Sequence, residues 1–197
     1  DWAKFADSWR GLYQPAMDEV RSGRRPWTKL DDLHRESLDK LLVQFGIKGL
    51  SEAEIDHFNR AWHRLDPWPD SVPGLTRLKR KFVLATLSNG NVALMVNMAK
   101  YGGLPWDAIL GAAVARHYKP QPQCHRATAE LLCAQGARVL INDLDGEVAE
   151  QAASEIDGET AVLAGDLTAD GVPEALVQAA VDAFGQLDIV VNNAGIL

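Results

Sequence analysis

Three prolines fall within the nine residues Asp66-Pro67-Trp68-Pro69-Asp70-Ser71-Val72-Pro73-Gly74, and the periodicity of the chain differs on either side of them. Proline removes a backbone donor and fixes φ, so this stretch reads as a linker or hinge. Before it, Trp2, Phe5, Trp9, Leu12, Tyr13, Met17 and Val20 recur at helical spacing and predict one amphipathic helix over residues 2–20. A second helix fits residues 28–45. A third starts at Ser51, where Ser51-Glu52-Ala53-Glu54 has the form of a capping box, and stops by Pro67. After the hinge the pattern shortens. Residues 81–87 suit a buried parallel strand, followed by a helix over 92–101 and a strand over 108–114. The alternation continues with helices at 127–135, 147–156 and 173–184 and strands at 138–142, 160–165 and 188–191. The expected fold class is therefore α/β, a helical cap followed by a parallel Rossmann-like sheet.

A second discontinuity lies near residue 122. Residues 1–122 carry 18 Lys+Arg and 14 Asp+Glu, whereas residues 123–197 carry 2 and 13. All six tryptophans precede that point. With 47% hydrophobic content over 197 residues the chain can bury a core, as one large domain or two small ones. No apolar run has the length of a membrane helix and Asp1-Trp2-Ala3-Lys4 has no signal pattern, so no membrane association and a cytoplasmic location are expected. The net charge of -7 argues against a nucleic-acid partner, and Arg24-Arg25 and Lys79-Arg80-Lys81 read as solvated faces. Cys124 and Cys133 have no paired ligand spacing, so neither a disulfide framework nor a metal site is expected.

Several residues before residue 122 sit where α/β sheets place chemistry. Ser88-Asn89-Gly90-Asn91 leaves the carboxyl end of a predicted strand, and Lys119 follows the next one. Taken alone, such a turn is as readily a plain helix cap. Together with Ser8-Trp9-Arg10 in the cap and the proline-rich hinge, the order resembles the L-2-haloacid dehalogenases of the haloacid dehalogenase superfamily over residues 1–122. The resemblance implies a hydrolase acting on a small-molecule 2-halocarboxylate without a cofactor. An aspartate attacks the carbon bearing the halogen, halide leaves, and water cleaves the resulting ester. It further implies that Ser88 hydrogen-bonds the substrate carboxylate or the aspartate, that Asn89 and Arg10 cradle the halide, and that Lys119 holds the aspartate ionised. In the family the nucleophile strand, of Asp-x-x-Gly-Thr type, precedes the cap. This chain opens inside the cap, so no aspartate takes that role by motif, and the expectation is a truncated, inactive hydrolase. His125 stands where the family tends to place a tyrosine.

Residues 126–197 resemble the nucleotide-binding half of a short-chain dehydrogenase. The marks are Gly136-Ala137-Arg138-Val139-Leu140-Ile141-Asn142-Asp143, then Gly165-Asp166-Leu167-Thr168, then Asn192-Asn193-Ala194-Gly195 after an Asp-Ile-Val-Val strand. On that pattern Asp143 binds the adenosine ribose and favours NAD, and Asp166 contacts the adenine. The turn containing Asn192, Ala194 and Gly195 lines the adenine side. Asp145 is better read as a helix N-cap. The three glycines of the expected Gly-x-x-x-Gly-x-Gly loop fall at Lys119, Gln123 and His125, and Pro120 and Pro122 remove two further donors. Dinucleotide binding should be weak, and without the Tyr-x-x-x-Lys pair no hydride transfer is expected.

The organisation that follows is a cap over residues 1–66, a partial dehalogenase-like core over 75–122 and a partial dehydrogenase segment over 126–197. A hybrid sheet is expected, with the 108–114 strand at its centre, the 138 and 160 strands on one side, and either the 81 or the 188 strand on the other. The alternatives to the hydrolase are an NAD-binding dehydrogenase fragment and a non-enzymatic chimeric product. Oligomerisation is possible in each case.

Overall fold

The computed structural model describes residues 1–191. Its first part is helical: α1 (Trp2–Gly11), α2 (Tyr13–Arg21), α3 (Leu30–Gln44) and α4 (Glu52–Asn59), which runs into a 3-10 turn at Arg60–Arg64. Where the sequence predicts one helix over 2–20, two helices meet at Leu12. Pro15 accounts for the break, because it offers no N–H to the Gly11 carbonyl and its ring crowds that carbonyl. The capping box at Ser51 is present in both halves. Helix α5 (Ser71–Leu78) starts inside the predicted linker. Pro73 lies in its first turn, where a missing donor interrupts no intrahelical bond.

The rest of the chain alternates: β1 (Ala85–Ser88), α6 (Val92–Gly102), β2 (Ala108–Gly111), α7 (Ala112–Ala115), α8 (Pro122–Ala134), β3 (Val139–Ile141), α9 (Gly146–Ser154), β4 (Thr160–Val162) and α10 (Val172–Phe184). β1 pairs parallel with β2, from Ala85 opposite Ala108 to Ser88 opposite Gly111. β3 pairs parallel with β4 in a separate ladder. The expectation of β2 at the centre of one continuous sheet is thereby corrected. Among the described residues β2 pairs with β1 and not with β3 or β4, and it stops at Gly111, turning at once into α7. The predicted 188 strand contributes one parallel bridge, Ile189 to Val83, with the Val83 N–H donating to the Asp188 carbonyl at 3.1 Å. β1 therefore faces β2, while the 188 segment joins the chain leading into β1.

Two apolar clusters hold this arrangement. Phe5, Trp9, Leu38, Leu41 and Leu42 fill the cap. Met17, Leu30 and Leu33 of the cap pack with Leu94, Met95, Ala112, Tyr118 and Cys124, so the second cluster crosses from cap to strands and includes a residue beyond position 122. A compact monomer of this mass exposes about 9,200 Å², against 12072 Å² here. Leu144, Val148, Val177, Val181 and Val190 are among the large apolar side chains left exposed. The fold is a helix-rich α/β fold with short parallel strands. No helix of the described residues is long and apolar enough to cross a membrane.

Candidate active site at the end of the first strand

The β1–β2 pair is fixed by a buried side chain as well as by its ladder. Thr86 Oγ1 donates to the Leu110 carbonyl at 3.0 Å and accepts the Leu110 N–H at 3.2 Å. Beyond it the chain leaves β1 in a tight turn. Ser88 Oγ accepts the Gly90 N–H at 3.0 Å, and Asn89 Oδ1 accepts the Lys119 N–H at 2.7 Å. Ser88, Asn89 and Lys119 are all partly buried. The structure thus brings two of the three sequence-predicted core residues into direct contact, with Ser88 adjacent, at the carboxyl edge of the strand pair.

The Lys119 loop is tied to the cap from several directions. Arg21 Nη2 donates to the Lys119 carbonyl, Gln121 Nε2 donates to the Arg21 carbonyl at 3.0 Å, and the Tyr118 hydroxyl donates to the Thr28 carbonyl at 2.8 Å. Burial pushes the Tyr118 phenol up. It also holds the Lys119 ammonium below the usual lysine range, with the Cys124 thiol opposing that shift. His125 is held low by burial and by Lys119, while Asp143 acts the other way.

Arg10 stands apart from this group. It is exposed on α1, with its guanidinium 4.9 Å from the centre of the Tyr13 ring, and makes no hydrogen bond to Ser88 or Asn89. Nearby, His34 is buried with both ring nitrogens unpaired, stacked 4.7 Å from Trp62. Two surface clefts lie elsewhere. One of about 400 Å³ is lined by Lys79, Arg80, Lys81, Phe82, Val83, Asp107 and Asp188. The other, of about 530 Å³, lies along the hinge by Trp68 and Trp106.

The residues predicted to hold a dinucleotide are placed as follows. Asp143 follows β3; its Oδ1 accepts the Asp145 N–H at 3.0 Å and its carbonyl accepts the Gly165 N–H at 2.9 Å. Asp145 caps α9 through the Glu147 N–H at 2.9 Å, in keeping with the capping reading. Asp166 Oδ1 accepts both the N–H and the hydroxyl of Thr168, at 2.8 and 2.7 Å, and the hydroxyl contact leads the causes that lower its pKa. Asn192, Ala194 and Gly195 lie outside the described residues.

Sequence reasoning passed over four residues that shape the 88–91 turn. Gly111 lets β2 approach Ser88, and Asn91, Asp31 and His63 form a polar junction behind the turn. Asn91 was visible as the end of Ser88-Asn89-Gly90-Asn91. Asp31 gave no signal beyond an acidic residue in the first turn of a helix.

Comparison with known proteins agrees with a composite. Residues 125–197 match the enoyl-(acyl carrier protein) reductase family. The 3-hydroxyacyl-CoA dehydrogenase type-2 of Drosophila melanogaster is 40% identical over 70 residues, covering 36% of this chain and 28% of that protein. Among solved structures, the defluorinating L-2-haloacid dehalogenase Rha0230 is 44% identical with a TM-score of 0.63, covering 76% of this chain and 62% of its own. The L-2-haloacid dehalogenase PA0810 is 43% identical with a TM-score of 0.63, covering 83% of this chain and 71% of its own. The chain spans under a third of the curated relative and about two thirds of these structures. The 83% share exceeds what residues 1–122 make up, so the structural likeness continues beyond them.

Proposed function

Because the chain belongs to the L-2-haloacid dehalogenase family, with short-chain dehydrogenase/reductase sequence over residues 125–197, we propose that its functional centre is a hydrolytic site for 2-halocarboxylates. The observation that carries this is the 2.7 Å bond from the Lys119 N–H to Asn89 Oδ1 beside Ser88, which unites two separate motifs at one strand edge. Ser88 holds the substrate carboxylate or the attacking aspartate, Asn89 receives the halide, and Lys119 keeps the aspartate ionised, while Arg10, exposed over the Tyr13 ring, would have to swing from α1 to share the halide. The Asn89 side-chain NH2 remains free to donate to a halide, because the contact with Lys119 uses only its oxygen.

The reaction forms an ester between an aspartate and the substrate carbon, expels halide, and ends when water cleaves the ester. No Asp-x-x-Gly-Thr strand occurs in the 197 residues, so the reading for this chain is substrate binding without turnover. The test is a titration with L-2-chloropropionate, followed by amide chemical shifts and by a chloride electrode. Saturable shifts at Ser88 and Asn89 without chloride release are expected. Absent shifts at tens of millimolar would overturn the binding site. Chloride above the blank would overturn the lack of turnover and assign the nucleophile to another carboxylate of this chain.

A second reading, an NAD-binding fragment, is favoured by Asp143 at the carboxyl end of β3. A ligand that binds only the folded chain raises its melting midpoint. A rise of several degrees at millimolar NAD supports this reading, and an unchanged midpoint removes it. Silence in both assays favours a non-enzymatic chimeric product. The division into a cap over 1–66, a core over 75–122 and a dehydrogenase segment over 126–197 belongs to the same proposal, as does any oligomer.

A further inference from the structure

We propose that Asp31 and Asn91 form a clamp through which the cap sets the position of the 88–91 turn, which makes both of them positioning residues; what they position rests on the hydrolase reading. Asn91 is the N-cap residue of α6, with φ -72 and ψ 160, yet its side chain makes no capping bond to its own helix. An asparagine in that place ordinarily accepts an N–H from the first turn of its helix. Here both ends of the amide cross to α3. Asn91 Nδ2 donates to Asp31 Oδ2 at 2.8 Å, and Asn91 Oδ1 accepts the Asp31 N–H at 3.2 Å. Lys29, the N-cap residue of α3, supplies no side-chain acceptor, so Asn91 satisfies one of the open donors of that helix from 60 residues away.

The Asp31 carboxylate is held from the other side too. His63 Nε2 lies 2.9 Å from Asp31 Oδ1, Asn97 Nδ2 lies 2.9 Å from His63 Nδ1, and Asn59 Nδ2 donates to the Asp31 carbonyl at 3.1 Å. With the Asn97 amide donating to Nδ1, the imidazole gives its Nε2–H to Asp31 and has no lone pair left to take a proton from a substrate. In that tautomer the Asp31–His63 pair serves to orient the carboxylate. His63 and Asn91 are 5% and 4% exposed and the Asp31 side chain 24%, so the junction is partly shielded from water.

A two-ended amide contact fixes rotation as well as distance. Asn91 lies two residues beyond Asn89, and Gly90 between them is packed so that a Cβ there would stand 2.8 Å from Met95 Sδ and 3.1 Å from Leu94 Cδ2, which would have to shift. A turn of Asn91 therefore carries Asn89 Oδ1 away from the Lys119 N–H.

The test uses reciprocal exchange. In Asp31→Asn one side-chain oxygen must serve both Asn91 and His63, and in Asn91→Asp two carboxylates meet. The double variant D31N/N91D restores each bond, since the new amide donates forward to the new carboxylate and still accepts from His63. Hydrogen exchange at the Lys119 amide is the readout, with the Leu163 amide, bonded to the Ile141 carbonyl, as the distant reference. Each single variant is expected to lose tenfold or more protection at Lys119 relative to Leu163, and the double variant to return to within about threefold of the parent. Equal loss at both amides, unchanged Lys119 protection in the single variants, or a double variant no better than either single overturns the clamp. Should a single variant fail to fold, the folded double variant with parental protection still decides the matter. Exchange needs no turnover. Failure of 2-chloropropionate binding in the parent would therefore sink the hydrolase reading while leaving the clamp to stand or fall on exchange alone.

Discussion

Gly111 and Ser88 face each other across the β1–β2 pair so closely that a Cβ on Gly111 would stand 2.2 Å from the Ser88 carbonyl oxygen and 2.5 Å from its nitrogen. Gly111 also has φ +127, a conformation that side chains with a Cβ rarely adopt. One glycine thus lets β2 close against the residue from which the candidate site begins.

Gly111→Ala should therefore destabilise the chain by more than about 3 kcal/mol, because backbone must move and the φ is strained as well. Urea unfolding of parent and variant measures this. A difference below about 1 kcal/mol would mean that the two strands do not approach in this way.

Thr86→Val removes a buried hydroxyl that serves both the N–H and the carbonyl of Leu110, at 3.2 and 3.0 Å. A loss of about 2 kcal/mol is expected from the unmet groups, and Thr86→Ser should lose less than half of that. Equal effects of the two variants in urea unfolding would mean that the hydroxyl contributes no more than the methyl group that serine lacks.

His34 links stability to pH. Its pKa is lowered from 6.5 to about 4, chiefly by burial and further by Arg10, with Asp31 opposing. The folded chain thus takes up this proton later than the unfolded chain does. Stability is fully present above pH 6.5 and falls as the pH drops towards 4, by about 3 kcal/mol for this group. His34→Phe should match or exceed the parent at pH 7, where the ring nitrogens are unpaired, and should show a flatter loss between pH 6.5 and 4. Parallel slopes in unfolding experiments across that range would rule out His34 as the source.

The two thiols should differ in reactivity. Cys124 is buried at the start of α8 and Cys133 is partly open near its end, and burial pushes both thiols up. Iodoacetamide at pH 8 should label Cys133 well before Cys124, as read by peptide mass spectrometry. Faster labelling of Cys124 would show that α8 opens at its amino end.

Local chemistry made much of this legible in the residues. The Ser51 capping box, the Asp145 cap and the order of helices and strands rest on bonds spanning a few positions, so the sequence pattern carries them. The change of ancestry near residue 122 was equally visible, because composition and motif need no coordinates. Pro15 should have signalled the break between α1 and α2, but the apolar period of residues 2–20 runs through it and masked the missing donor.

By itself the sequence determined a helical cap, an α/β alternation behind it and the two families from which they derive. Only the tertiary structure decided that β1 and β2 pair apart from β3 and β4, that Ile189 reaches Val83, and that Asn91 answers Asp31. Strand partners and side chains 60 residues apart are chosen by which surfaces can be buried together, and that choice depends on the whole chain at once. Ser88, Asn89 and Lys119 could be picked out as residues, but the 2.7 Å bond that joins two of them lies between loops that each contact the cap, through Arg21 and through Asp31.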